Sequence, residues 1–219
     1  MKNNYRILPI LADLIPAIFY ACDGILFDSL TSCPHCSGSL ADYDVKIKQF
    51  AVVSDGSSTR TITVRVKRFQ CRKCSAVVYA HQPFYPDTRI GSPVVDLCTT
   101  FASIMPYSRA STYLHQIGVI VDRGSVRNYT MKNTQRIATT GVYGIILPVS
   151  IVTLAAFTTE AGEDTPLNPF DVLSACGYPS LKTPVDETAL QDEAVGAPSK
   201  EGTRCPDALN PKRSPFEKT

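Results

Sequence analysis

Four cysteines lie in two short pairs, Cys33-x-x-Cys36 and Cys71-x-x-Cys74. Two residues between the members of a pair let one tight turn aim both sulfurs at a single point. Two such turns brought together form the tetrahedral four-thiolate cage that suits structural zinc. Because protein ligands would fill all four positions, the ion would hold shape and do no chemistry. The spacing therefore predicts a structural Zn²⁺ site.

Other uses of these cysteines remain open at this stage. Disulfides would suit an exported chain, a thioredoxin-like motif needs only one pair, and four thiolates also accept iron. His35 and His81 are alternative ligands, although the cysteines suffice without them. The other four cysteines lack paired spacing and are expected to be plain thiols: Cys22, Cys98, Cys176 and Cys205.

The segment between the cysteine pairs has the alternation of two β-strands. The first strand is predicted to be half buried, and Ile62, Val64 and Val66 mark a second strand that runs into Cys71. Turn residues at 55–58 join the two. A hairpin that carries a cysteine pair at each end predicts a zinc ribbon over residues 31–82. The first strand alternates Tyr43, Val45 and Ile47 with Asp44, Lys46 and Lys48.

Positive charge is concentrated in the middle of the chain. Residues 45–136 hold fourteen basic and four acidic residues, a net charge of +10, whereas the whole chain has a net charge of +2. Such an excess favours a polyanionic partner, with binding that weakens as salt rises.

Three short helices are predicted between residues 90 and 136. The first buries Val94, Leu97, Cys98 and Phe101, and the second buries Ala110, Tyr113 and Leu114 and ends at Gly118. Asp122 or Ser125 caps the third, which turns Val126, Tyr129 and Ile137 inward. Helices in this order with a cationic third helix are typical of a helix-turn-helix. Plain packing with a solvated basic face is the alternative.

The exposed face of the third helix has the chemistry for double-stranded DNA. Arginine matches guanine edges or phosphate oxygens, asparagine pairs with adenine, and a serine at a helix N-terminus can hold a phosphate. The ribbon would add contacts to the DNA backbone. The predicted DNA-binding residues are Arg123, Ser125, Arg127, Asn128, Lys132, Lys67, Arg68, Arg72 and Lys73, with Arg136 on the same helix face.

These residues resemble the front end of zinc-ribbon-headed insertion-sequence transposases. The likeness lies in CPHCSGSL, VRVKRFQCRKC and YSRASTYLHQIGVIVDRGSVRNY, and it covers about residues 30–135. It implies that the paired cysteines bind zinc and that the helix from about Arg123 approaches DNA. Expected partners are double-stranded DNA and either a second copy of the chain or a full-length transposase.

The chain departs from that family after Arg136. Such transposases continue into a nuclease domain whose three carboxylates hold two metal ions. Only 83 residues follow here, and their acidic residues lie in proline-rich sequence. A glycine-rich phosphate loop and a nucleophile elbow are also missing. We therefore expect a DNA-binding protein that is not an enzyme.

Two apolar stretches flank the basic block. Residues 7–27 are interrupted by Asp13, Asp23 and two prolines, which favours core helix over a signal peptide, and we expect a cytoplasmic protein. Residues 137–159 contain no charged residue. We expect a buried helix there, kinked or begun at Pro148. A membrane-tethered regulator that uses residues 137–159 is one alternative, and a zinc-stabilised protein-interaction module is another.

The expected fold is α+β. It consists of a helical lead (residues 1–30), the zinc ribbon (31–82), a helix-turn-helix-like domain with an apolar helix (90–160), a short helix and loop (161–181), and a tail (182–219). The tail is polar and studded with proline, so we expect it to be disordered.

Overall fold

The computed structural model of the chain describes residues 9–54, 56, 58–133, 136–142, 144–161 and 166–177. These residues form six helices and two sheets, which confirms the α+β class. The predicted tail, residues 182–219, lies outside them. The helices are α1 (Pro9–Tyr20), α2 (Ser92–Ile104), α3 (Tyr107–Gln116), α4 (Arg123–Lys132), α5 (Val149–Ala161) and α6 (Pro169–Ala175). The strands are β1 (Leu26–Phe27), β2 (Leu40–Ser54), β3 (Thr59–Cys71), β4 (Val77–Tyr79), β5 (Thr139–Val142) and β6 (Ile145–Pro148).

The larger sheet is built on the long antiparallel hairpin of β2 and β3. Strand β3 is central, because β2 pairs along one side while β1 and β4 pair along the other. Strand β2 is therefore an edge strand. Its register shifts twice, between Asp42 and Asp44 and between Gln49 and Ala51. Such bulges bend the strand and increase its twist.

The predicted burial of the first strand is wrong. Ile62, Val64 and Val66 of β3 are fully buried and define the core face of the hairpin. The register places Val45 opposite Lys67 and therefore on the other face. Charged side chains of β2 lie opposite the buried valines instead, at the edge of the core. The apolar residues Tyr43, Val45 and Ile47 are 53%, 48% and 72% exposed.

Phe50 joins the sheet to the helical part of the molecule. Its ring is fully buried and meets the rings of Phe19 and Phe84 edge-on, with ring centroids 6.0 Å apart in each pair. The N–H of Gly91, at the start of α2, donates to the Phe50 carbonyl at 2.8 Å. A Cβ at Gly91 would lie 2.3 Å from the Phe50 ring, so only glycine permits this approach.

Helices α2, α3 and α4 pack on one another as the periodicity predicts. The residues predicted to face inward in α2 and α3 are buried. Gly118 takes φ +83° after α3, and the Asp122 side chain caps α4 by accepting from the Ser125 N–H. Helix α4 ends at Lys132, so Arg136 and Ile137 lie beyond it and their predicted helical positions are wrong.

A buried carboxylate ties α2 to two other parts of the fold. Asp96 is 3% exposed and accepts hydrogen bonds from the Tyr85 hydroxyl at 2.7 Å and the Ser150 hydroxyl at 2.6 Å. Burial raises the pKa of the Asp96 carboxyl, although both hydrogen bonds act in the opposite direction. The network fixes the loop after β4 and the start of α5 against α2.

The uncharged stretch 137–159 contains strands β5 and β6 and most of helix α5. In its first half, β5 and β6 pair as a hairpin where a helix was predicted. Helix α5 begins directly after Pro148, which is one of the two predicted alternatives, a helix kinked or begun at Pro148. None of the helices in the described ranges combines the length and the hydrophobicity of a membrane span. Within the segment predicted as a short helix and loop, residues 161–181, the structure has α6.

Candidate metal centre and basic helix face

The two cysteine pairs come together at one end of the β2–β3 hairpin. Cys33 and Cys36 lie in the turn before β2, while Cys71 ends β3 and Cys74 follows it. The sulfurs of Cys33 and Cys74 are 3.7 Å apart, those of Cys36 and Cys71 are 3.4 Å apart, and all four lie within 4.8 Å of one another. Tetrahedral zinc with Zn–S bonds of about 2.3 Å requires sulfurs about 3.8 Å apart. The cluster thus has the size of a four-thiolate metal site.

The two cysteine turns are built in the same way. In the first, the Ser37 N–H donates to the Cys33 carbonyl at 2.8 Å, and in the second the Ser75 N–H donates to the Cys71 carbonyl at 3.0 Å. Both serines have positive φ, +55° and +59°. The N–H of the first cysteine then closes each turn on the carbonyl five residues later. Each pair is therefore positioned by its own backbone.

The four sulfurs differ in proton affinity. Backbone N–H groups of Cys74 and Lys73 lower the pKa of the Cys71 thiol to about 6, with the Lys73 nitrogen 3.4 Å from the sulfur. The Gly38 N–H lowers the pKa of Cys36, but the Cys71 sulfur, burial and the other two sulfurs together raise it to about 12. Four deprotonated sulfurs at this distance repel one another. The cluster therefore requires a cation between the sulfurs when all four are thiolates.

Gly38 lies against the cluster and leaves no room for a side chain. A Cβ there would be 2.8 Å from Lys73 Cβ, 3.0 Å from Cys71 Sγ and 3.2 Å from Cys36 Sγ. We expect Gly38→Ala to push the two turns apart and to cost about 1–3 kcal/mol in the free energy of unfolding. Chemical denaturation of the metal-loaded protein measures the change in stability, and competition for the metal by a chelator measures the change in metal affinity.

Gly141→Ala is the matched control, because a Cβ there meets nothing within 4 Å. Equal stability and equal metal retention in the two variants would contradict the close approach at Gly38.

Within the described part of the chain, the four cysteines are the only group of three or more His, Cys, Asp or Glu residues placed to hold a metal ion. His35 and His81 are not members of this group. Cys22 and Cys98 are fully buried elsewhere in the core, as expected of plain thiols, and Cys205 lies outside the described residues.

Helix α4 presents its predicted polar residues to solvent. Val126 is fully buried and fixes the orientation of the helix, so Arg123, Arg127, Asn128 and Lys132 are exposed on the other side. Within the described residues, none of these three cations has a carboxylate within salt-bridge distance. The exposed face of α4 therefore carries free positive charge.

Three of the predicted DNA contacts are already engaged inside the protein. The Ser125 hydroxyl donates to Asp122 at 2.5 Å, beside a negative charge that disfavours a phosphate. Arg68 binds both oxygens of Asp44, at 2.6 and 2.5 Å, and Lys67 lies 2.9 Å from Asp42. The ion pairs of Arg68 and Lys67 link β3 to β2 within the hairpin. Arg72 and Lys73 are exposed beside the cysteine cluster.

The loop after β4 adds a residue that sequence reasoning missed. Arg89 is exposed and lines a cleft of about 720 Å³ together with Lys132 at the end of α4. A second cleft, of about 290 Å³, joins Arg89 to Asn128. Arg89 belongs to the basic block, but only the packing of the loop against α4 shows that the two share a surface.

The arrangement thus combines a four-sulfur cluster with a cationic helix face, beside a loop that brings both Arg89 and Asp87 to the shared clefts. No protein-family model, no curated protein and no solved structure matches this chain.

Proposed function

We propose that this protein binds double-stranded DNA and is stabilised by structural zinc. In this proposal, β2, β3 and the two cysteine turns form a zinc ribbon, and α2–α4 form a helix-turn-helix whose third helix enters the major groove. In this proposal residues 30–135 act like the front end of a zinc-ribbon-headed transposase, and DNA binding is the function assigned to them.

The sulfur cluster supports the choice of zinc. Four cysteine ligands at tetrahedral spacing leave no open coordination position, which is the arrangement of structural rather than catalytic zinc. The N–H group directed at the Cys71 sulfur favours its thiolate form, and thiolate is the form that binds metal. The bound ion would fix the ends of β2 and β3 together.

The exposed face of α4 is the observation that carries DNA binding. Arg123, Arg127 and Lys132 point into solvent with no carboxylate partner among the described residues, and Asn128 lies between them. Unpaired cations lose little when they exchange solvent for phosphate oxygens, and binding releases the counterions of the DNA. Asn128 can then read an adenine edge. Arg89 extends this surface toward an adjacent phosphate.

The hairpin would make a smaller contribution than the sequence predicts. Lys67 and Arg68 are held by Asp42 and Asp44, so contact with DNA would require their ion pairs to break. Arg72 and Lys73 are the ribbon residues that would reach the DNA backbone. We therefore assign the main binding energy to α4 and the loop beside it.

The test is a fluorescence anisotropy titration of a random-sequence duplex with the zinc-loaded protein over a series of salt concentrations. The Arg127→Ala, Lys132→Ala double variant is expected to weaken binding about 10- to 100-fold on every sequence. The slope of log K against log salt is expected to fall by about 2, because two phosphate contacts are lost.

A double variant of matched charge serves as the control. Arg60→Ala with Arg65→Ala removes two exposed cations from β3, of which Arg60 is ion-paired with Asp23 and Arg65 donates to the Gly24 carbonyl. The net charge changes as in the α4 variant, and affinity is expected to stay within about threefold of wild type. Equal losses in both variants would show that net charge alone attracts DNA and would overturn the assignment to α4. Absence of duplex binding at low salt would overturn the proposal as a whole.

A further inference from the structure

The outer edge of β2 is covered along only half of its length. The Phe50 carbonyl accepts from Gly91, the Val52 carbonyl accepts from Ile120, and the Ser54 N–H donates to Gly118. Residues 41–49 make no such bonds on this edge with any other described residue. Their outward N–H and C=O groups therefore form a template for a further strand.

The same half of the strand exposes apolar side chains. Val45 is 48% exposed and Ile47 is 72% exposed, on the face opposite the core, and Tyr43 beside them is 53% exposed. An open edge with exposed β-branched residues is the usual platform for strand addition. The open edge segment, residues 41–49, therefore offers both backbone pairing and apolar contact to a partner.

The charges of the open edge segment are complementary to the segment itself. Asp44 precedes Val45 and Lys46 follows it directly, while Asp42 and Lys48 lie three residues away on either side. The bulge between Asp42 and Asp44 interrupts the outer pair, so only the inner pair keeps a regular register. If a second copy pairs antiparallel with Val45 opposite Val45, each Asp44 lies opposite a Lys46. Opposite charges at directly facing positions stabilise an antiparallel pair, and facing apolar residues do the same.

We propose that the protein forms a symmetric dimer in which the open edge segments of two copies pair antiparallel about Val45. The two hairpins then make one continuous sheet, and the interface is isologous, as in most homodimers. Lysine on an edge strand normally blocks such pairing, but here the partner's strand supplies the matching aspartate. The dimer goes beyond the proposed DNA binding and does not rest on it.

The Asp44–Lys46 and Asp42–Lys48 pairs contribute differently to the stability of the proposed dimer. Lys46 is exposed and lies 3.9 Å from Asp44 of its own chain, a distance from which it can turn toward a second copy. Asp44 keeps both hydrogen bonds from Arg68, and the remaining lone pairs of its oxygens accept Lys46 of the second copy. Lys48 donates to Gln82 at 3.0 Å and its ammonium lies 4.0 Å from the centre of the Phe84 ring. The Asp44–Lys46 pair therefore provides the electrostatic match, and the apolar contact is centred on Val45.

The two-fold axis through Val45 gives a sharp test. Val45→Lys places two like charges opposite each other in the dimer, and Val45→Asp does the same with the other sign. Each variant alone is expected to associate at least about tenfold more weakly than wild type, because facing like charges destabilise a strand pair. An equimolar mixture of the two is expected to recover association, because lysine then faces aspartate.

The measurement is sedimentation velocity of the zinc-loaded full chain without DNA over a concentration series. The control pair is Ile104→Lys and Ile104→Asp, at an exposed position near the end of α2, and neither should change association. A monomeric wild type, undiminished association of either Val45 variant, or a mixture that stays monomeric would each overturn the dimer. The Arg127→Ala, Lys132→Ala variant should still dimerise, which separates this result from DNA binding.

Discussion

Cys71→Ser is expected to abolish stoichiometric zinc binding and to unfold the β2–β3 hairpin. Cys71 is the last residue of β3, is 1% exposed, and its sulfur lies 3.4 Å from that of Cys36. Zinc binding contributes about 10–16 kcal/mol of folding free energy in small cysteine modules. Packing at the end of a hairpin cannot replace a contribution of this size. Metal analysis of the purified variant and its far-UV circular dichroism measure the two losses.

Cys98→Ala provides the comparison for a buried cysteine outside the cluster. Cys98 is fully buried on α2, so its replacement should lower stability modestly while zinc content stays at one ion per chain. Zinc retained at full stoichiometry by Cys71→Ser, or lost to the same extent by Cys98→Ala, would contradict the four-cysteine site.

Phe50→Ala is expected to lower the free energy of unfolding by about 3–5 kcal/mol. The ring fills the space between the sheet, α1 and the start of α2, where it meets Phe19, Phe84 and the bare backbone of Gly91. Truncation leaves a cavity that these rigid neighbours cannot close. Urea denaturation of the zinc-loaded protein at a fixed concentration gives the change.

Phe170→Ala removes the same side chain from an exposed position on α6, where the ring is 60% exposed. Its stability should stay within about 0.5 kcal/mol of wild type. A loss of less than about 1 kcal/mol in Phe50→Ala would show that Phe50 does not join the sheet to the helices.

The features that the sequence predicts correctly are those set by local geometry. A spacing of two residues between cysteines constrains both sulfurs to one turn, so the Cys33–Cys36 and Cys71–Cys74 pairs could be assigned before any tertiary contact was known. Helices α2 and α3 follow from apolar residues at helical spacing, and Gly118 and Asp122 mark the turn between α3 and α4. In each case the information lies within one turn of chain.

The features that the sequence does not predict depend on pairing between residues far apart in the chain. The face that β2 buries is set by its register on β3 and by two bulges, and alternation alone does not distinguish the two faces. The engagement of Arg68 by Asp44 depends on the same register. Arg89 meets α4 through a loop whose course no periodicity encodes. The β5–β6 hairpin lies in an uncharged stretch whose residue pattern fits a helix equally well.

X-ray absorption at the zinc edge of the purified protein tests the metal centre most directly. Four sulfur neighbours at about 2.3 Å, with no nitrogen or oxygen in the coordination shell, are the expected result. A shell that contains nitrogen or oxygen, fewer than four sulfurs around the ion, or a protein whose bound metal is iron would contradict the account.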